Sequence, residues 1–255
     1  MFHEAILCYL ESLKSDPNHF EPYYNLGSAY HELSNLELAE KYYQKAISLN
    51  PNHYMAYYNM GCIYQELGKV EQSIDCYLHA TSLNPNDAEA HLNLGITLRL
   101  NGKHQEAAFS YLKAIEADPR FVPAYFNLGN TYQDLGKLDK AILCFLEALK
   151  HDPEYVDAMY NLAICYLDRS IHLPESKITD LNNALACYEK IQKISPGSEA
   201  ARKGHEFVRS ILEKSVIAPS IVAAPANSLE TVNNFCNFHG CFRSRMFLFR
   251  SNSVS

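Results

Sequence analysis

The 255-residue sequence contains no tryptophan, and glycine (10) and proline (11) are both sparse. With 47% hydrophobic and 20% charged residues, that scarcity excludes a collagen-like or wholly disordered chain. No run of 18 apolar residues occurs, so no membrane-spanning helix is expected. The N-terminal apolar stretch lacks a basic region and carries Glu4 and Glu11, so it does not read as a secretory signal. Basic residues are in deficit. Positions 1–214 hold 28 acids against 19 Lys and Arg, whereas 215–255 hold one acid and three arginines. So acidic a body argues against nucleic acid as the main partner. With no secretory route in view, the eight cysteines are expected as reduced thiols in the cytoplasm, the nucleus also being open. Glycine-rich phosphate loops and elbow-type nucleophile motifs are missing as well.

What the sequence does have is a period. Tyr23, Asn25, Leu26, Gly27 and Tyr30 recur as Tyr57, Asn59, Met60, Gly61 and Tyr64, and again as Tyr125, Asn127, Leu128, Gly129 and Tyr132. Weaker copies are His91, Asn93, Leu94, Gly95, Leu98 and Met159, Asn161, Leu162, Ala163, Tyr166, each copy starting 34 residues after the one before. A second set follows each: Ala39, Tyr43, Ala46, Pro51, then Ser73, Tyr77, Ala80, Pro85. It continues as Ala107, Tyr111, Ala114, Pro119 and Ala141, Phe145, Ala148, Pro153. The spacing i, i+3, i+4, i+7 of Tyr23, Leu26, Gly27 and Tyr30 is one face of a helix, and the second set forms another such stripe. Small Gly27 and Ala39 are expected to let two helix backbones approach, with tyrosine rings filling the space around the contact. Gly68, Gly102 and Gly136 sit where a left-handed residue would end each first helix. Ser34-Asn35 replaces the glycine in the first pair, so a looser turn is expected there. Asp16-Pro17, Asn50-Pro51, Asn84-Pro85, Asp118-Pro119 and Asp152-Pro153 stop each second helix.

These motifs resemble the tetratricopeptide repeat (TPR), in register over 20–155 and imperfectly over 1–17 and 156–198. The resemblance implies an all-α, right-handed solenoid of stacked antiparallel helix pairs whose core forms between neighbours. Repeats are expected at 20–53, 54–87, 88–121, 122–155 and 156–198. Residues 1–19 match only a second helix, as a lone capping helix or a truncated product would. In the last repeat Ala163 replaces glycine, and Ala184, Tyr188 and Pro196 come nine residues late, after an insertion near 168–177. Residues 199–214 read as a polar capping helix, and 215–255 as a disordered or irregular tail.

At 100° per residue, Glu21, Asn25, Ser28 and Glu32 fall about 180° from the packing stripe. The same column is Met55, Asn59, Cys62, Glu66, then Glu89, Asn93, Ile96, Leu100. It goes on as Pro123, Asn127, Asn130, Asp134 and Asp157, Asn161, Ile164, Asp168. In this family the first helices line the concave groove, so the resemblance implies that these residues face a bound segment. Seven carboxylates and no Lys or Arg predict negative potential and a basic or neutral protein partner. A regular asparagine column can hydrogen-bond an extended peptide backbone whatever its side chains. It can equally be a solvent-tolerant family feature. Similar ladders occur in the superhelix of O-linked N-acetylglucosamine transferases. Tyr24, Tyr58, Phe126 and Tyr160, with Leu92 interrupting, flank the column as packing between repeats. The family's carboxylate clamp for acidic chaperone tails needs Lys and Arg where this sequence has acids, so that ligand is not expected.

No catalytic, metal-binding or cofactor-holding residue is expected. Cys8, Cys76, Cys144 and Cys187 share one repeat column and cannot converge on a metal. Cys236, His239 and Cys241 lack a clear fourth ligand, and Phe242–Arg250 mixes bases with aromatics as a sticky end would. The reading is a non-catalytic adaptor that holds a peptide in an acidic, Asn-lined groove. Its alternatives are the substrate-selecting arm of a glycosyltransferase without its catalytic half, and a structural subunit contacting others through its second helices.

Overall fold

A computed structural model describes residues 2–173 and 176–217, with side chains to Lys214. The Cys236–Cys241 cluster, the Phe242–Arg250 motif and all but the first residues of the expected tail lie outside the described residues. Every element among the described residues is a helix. The chain divides into two compact units, Met1–Pro153 and Glu154–Ser255.

In the first unit α1 (Phe2–Ser15) precedes four helix pairs. They are α2 (Phe20–Glu32) with α3 (Leu36–Leu49), α4 (Tyr54–Glu66) with α5 (Val70–Leu83), α6 (Ala88–Leu100) with α7 (His104–Ala117), and α8 (Val122–Asp134) with α9 (Leu138–His151). Each second helix ends on an Asx residue in extended backbone, as at Asn50 (φ −133°, ψ 88°) and Asp118 (φ −135°, ψ 99°). The proline that follows forbids the helical conformation there. The Asp118 carboxylate then accepts from Arg120 N at 2.9 Å, which closes the turn locally. Aspartate and histidine cap the next helices: Asp87 Oδ1 accepts from Ala90 N at 3.0 Å and His53 Nδ1 from Ala56 N at 3.2 Å. Burial lowers the His53 pKa, which favours the neutral ring that can accept.

The turn at Ser34 is not looser than its glycine counterparts. Ser34 adopts φ 56°, beside +69°, +76° and +69° at Gly68, Gly102 and Gly136. Asn35 N bonds Tyr30 O at 2.8 Å, as Lys69 N bonds Tyr64 O at 2.8 Å. Asn35 then caps α3 through Oδ1, accepting from Leu38 N at 3.2 Å. The paired hydrogen bonds hold a non-glycine residue in a region it enters at a cost of about 1–2 kcal/mol.

The core forms between pairs as well as within them. One cluster joins Ala39 and Tyr43 to Ala56, Met60, Ile63 and Cys76, and another runs from Ile74 and Tyr77 through Leu94 and Leu98 to Tyr111 and Leu128. Within each pair a ring of the second helix lies against the glycine of the first. A Cβ built on Gly27 would stand 2.6 Å from the Tyr43 ring, on Gly61 2.7 Å from Tyr77, on Gly95 2.5 Å from Tyr111, and on Gly129 2.6 Å from Phe145. What closely approaches the glycine is therefore a ring edge crossing the helix.

In the second unit α10 (Val156–His172) and α11 (Lys177–Ile194) have 17 and 18 residues, where the earlier first and second helices have 13 and 14. Longer helices thus absorb most of the insertion. Ala163 already carries a Cβ, and Tyr188 lies against Gly204 of α12 (Glu199–Ile217), where a Cβ would stand 2.5 Å away. Ala201 and Val208 of α12 are buried while Lys203, Arg209 and Lys214 are exposed, as a capping helix requires.

Candidate functional site

Two of the rings that cross a glycine, Tyr43 and Tyr77, bring a hydroxyl to the flank where the asparagine column stands. Tyr43 Oη lies 2.9 Å from Ser28 Oγ and accepts from Asn59 Nδ2 of the next repeat at 3.1 Å. Tyr77 Oη lies 3.2 Å from Cys62 Sγ and donates to Gln65 Oε1 at 3.1 Å. Tyr111 has Ile96 at the corresponding place and makes neither kind of contact, and Phe145 has no hydroxyl. Burial pushes the Tyr43 hydroxyl up to about 12 and the Cys62 thiol up to about 11, so both stay protonated at neutral pH.

The asparagines join successive repeats. Asn59 Nδ2 also donates to Tyr24 Oη at 3.3 Å, and Asn93 Nδ2 donates to Tyr58 Oη at 2.9 Å. Each pair is 35 residues apart, so the phenol beside one asparagine is held by the next. Leu92 breaks this chain. Lacking a hydroxyl to meet, Asn127 turns its Nδ2 back to Pro123 O at 2.8 Å, and its Oδ1 is buried without a partner. Asn127 and Asn130 are only 6% and 8% exposed, so the expectation that they line an open surface is corrected. Replacing Leu92 with tyrosine is expected to give Asn127 the partner that Asn93 has, raising stability by about 1 kcal/mol in denaturant titrations. Tyr24, Tyr58, Phe126 and Tyr160 pack on Tyr43, Tyr77, Phe145 and Tyr188, with ring centroids 5.7, 5.8, 6.0 and 5.8 Å apart.

The carboxylates of the column divide by environment. Glu66 pairs with His31 at 2.9 Å and Asp134 with Arg99 Nε at 2.7 Å, each bridging first helices of consecutive repeats. Glu21 lies 2.9 Å from His19. The expectation of a surface without basic groups thus needs correction, because Arg99, one residue before Leu100 of the column, reaches into it. Glu32 and Glu89 are exposed and carry no ion pair among the described residues. In the second unit Asp157, Asn161 and Asp168 stand on α10.

Of the cysteine column Cys76 and Cys187 are buried and Cys144 is half-buried, but Cys8 on α1 is exposed. Cys76 and Cys187 are 9% exposed, and Cys8, Cys76, Cys144 and Cys187 are all free thiols. Burial pushes Cys76 and Cys144 up to about 12 and Cys187 up to about 11, which suppresses the thiolate needed for nucleophilic attack or metal ligation. Among the described residues no group of three or more His, Cys, Asp or Glu could hold a metal ion, and no helix is long and apolar enough to cross a membrane.

Family models of the tetratricopeptide repeat match residues 20–53 and 122–155, and 42–75 and 144–193, and a further TPR-repeat model matches 2–34, 62–102 and 97–136. The chain belongs to the tetratricopeptide-repeat family. No curated protein matches it. Among solved structures it is similar to MamA, with 31% identity over 60% of this chain and 89% of that one, at a TM-score of 0.57. It is similar in fold to YrrB, described as a TPR protein with an unusual peptide-binding site, with 22% identity over 78% and 97% of the two chains and a TM-score of 0.66. PilF of Pseudomonas aeruginosa shares the fold at 15% identity over 82% and 90%, with a TM-score of 0.63. The chain is a repeat scaffold of the kind that binds other proteins.

Proposed function

We propose that the chain is a non-catalytic adaptor that holds an extended, basic or neutral peptide segment along α2, α4 and α6 of the first unit. The observation that carries this reading is the orientation of two amides. Asn59 spends both of its N–H donors, and Asn93 one of its two, on tyrosine hydroxyls. Both are half-buried and keep Oδ1 without a partner among the described residues. Carbonyl oxygens fixed in this way accept from peptide N–H groups, and Glu32 and Glu89 beside them accept from Lys or Arg. The surface is therefore rich in acceptors and selects a segment rich in donors, which an acidic chaperone tail is not. The free cysteines suit a reducing compartment, cytoplasmic or nuclear.

The test is fluorescence anisotropy with extended peptides matched in length, one bearing Lys and Arg and one bearing Glu. The basic peptide is expected to bind and the acidic one to fail. Binding should weaken from 50 to 300 mM salt, because exposed charges are screened beyond about 8 Å at physiological ionic strength. Asn59→Ala with Asn93→Ala removes two fixed acceptors at about 1 kcal/mol each, so affinity should fall about tenfold or more. Asn127→Ala, whose amide oxygen is buried, should leave affinity unchanged. Equal affinity of wild type and the double variant, with circular dichroism showing both folded, would overturn the reading.

A further inference from the structure

The second helices carry a surface that the groove does not use. At one repeat position Leu78, Leu112 and Leu146 follow one another at 34-residue intervals, 49%, 47% and 42% exposed. Three residues earlier on α7 and α9 stand Phe109 and Leu143, both 63% exposed. The matching positions on α3 are Lys41 and Gln44, and on α5 Asp75 stands in the Phe109 row; α1 carries Leu7, 67% exposed, and Leu10 at these positions, so the unbroken row Leu78, Leu112, Leu146 starts at α5, beyond the polar break on α3. Single exposed leucines are ordinary, but five large apolar side chains in two adjacent rows are not.

A furrow of about 430 Å³ opens between α5 and α7 beside them, with Leu94, Leu98 and His91 of α6 among its lining residues. One of its lining residues departs from the repeat motif. Tyr23 and Tyr125 bond Pro17 O and Pro119 O through their hydroxyls, each at 3.2 Å. His91 makes the equivalent bond to Pro85 O at 3.0 Å with a shorter ring. Phe109 also lines the furrow.

We propose that the face formed by Leu78, Phe109, Leu112, Leu143 and Leu146 is a self-association surface, on which a second copy of this chain packs about a two-fold axis and each Phe109 fills the other copy's furrow. A two-fold interface brings the same patch together from both sides, so it needs an anchor and its socket side by side on one surface. Phe109 and the furrow meet that condition. The charged rim is also compatible with its own copy. Lys113 pairs with Glu116 at 2.6 Å and Lys150 with Glu147 at 3.0 Å, so both signs border the patch and a rotated copy does not meet charge of one sign only. The apolar area is on the order of 500 Å² per copy, and twice that is about the lower bound of a specific interface. A reversible dimer with a dissociation constant in the micromolar range follows.

Sedimentation equilibrium of the full chain from 1 to 200 μM tests this. Wild type is expected to pass from monomer to dimer across that range. Leu143→Asp should raise the dissociation constant at least 100-fold. His91→Tyr, which restores the motif residue and fills the furrow without adding charge, should raise it at least tenfold. Gln44→Asp on α3 should leave it unchanged. Far-ultraviolet circular dichroism checks that each variant is folded. A wild type that stays monomeric at 200 μM would overturn the proposal, whether or not the face captures another protein. So would a dimer that neither Leu143→Asp nor His91→Tyr weakens.

Discussion

Gly95→Ala is expected to destabilise the first unit by about 2 kcal/mol, although alanine is the better helix former. In an open helical position the exchange gains about 1 kcal/mol, because glycine forfeits more backbone entropy. At Gly95 the new Cβ would stand 2.5 Å from Tyr111 Cε1 and 2.8 Å from Cδ1, distances that atoms in real structures do not keep. Tyr111 is fully buried and cannot swing aside without displacing its neighbours Leu94, Leu98 and Leu128. Overpacking of this sort costs about 1–3 kcal/mol, occasionally more, which exceeds the propensity gain. Thermal unfolding should shift down by about 4–8 °C. The diagnostic comparison is Ala163→Gly in the second unit, where the native residue already carries a Cβ. There the helix loses propensity and no ring is relieved, so destabilisation by about 1 kcal/mol is expected. Adding Tyr111→Leu to Gly95→Ala should cost less than the sum of the two single changes, by 1 kcal/mol or more, since each ring edge and its glycine form one contact. Additive effects would mean that the clash is relieved elsewhere.

This contact also shows what could be read from the sequence. The 34-residue period placed both helices of every pair, because apolar spacing and Asx-Pro stops act locally and need no knowledge of the partner chain. That Gly27 faces something close was legible too. That the close neighbour is the Tyr43 ring rather than the Ala39 backbone was not, since it depends on how far a side chain reaches across the pair. The asparagine column was visible as a column. Its orientation was not, because Asn59 is set by Tyr24 and Asn93 by Tyr58 from the preceding repeat. The signal existed, since Leu92 interrupts the flanking tyrosines one repeat before Asn127, the asparagine that turns away. Arg99 was overlooked beside the acidic column because angular projection places side chains by their Cβ directions, while a guanidinium on its long stem crosses to Asp134 of the next helix. The leucine rows were present at one repeat position, but periodicity alone does not tell an exposed row from a buried one.

The largest expected effect belongs to a pair that the repeat motif does not contain. Arg169 and Asp180 join α10 to α11 across the insertion, with Arg169 Nε 2.9 Å from Asp180 Oδ2 and an Nη 2.6 Å from Oδ1. Ser176 Oγ donates to the same carboxylate at 2.8 Å. The Asp180 side chain is fully buried, and the guanidinium is 22% exposed. Burial alone would raise the Asp180 pKa, but the hydrogen bonds from Arg169 and Ser176 outweigh it and hold the carboxyl below its ordinary range. A folded-state value below the unfolded one means that this contribution is complete above about pH 4 and is lost as pH falls through the folded value. Arg169→Met removes the cation and leaves a buried, uncompensated carboxylate, which should cost about 3–5 kcal/mol at pH 7. In that variant burial is no longer outweighed, so the Asp180 carboxyl moves above its unfolded value and the pH slope reverses. The deficit of Arg169→Met should therefore narrow as pH is lowered from 7 to 5, where wild type holds its stability. Arg169→Met with Asp180→Asn should recover a large part of the loss at pH 7, because no charge is left buried. Hydrogen exchange of the α10 and α11 amides reads wild type and both variants locally. A deficit independent of pH, with no recovery in the double variant, would show that Arg169 acts through its packing on Tyr166, whose ring centroid lies 5.5 Å from the guanidinium, rather than through the carboxylate.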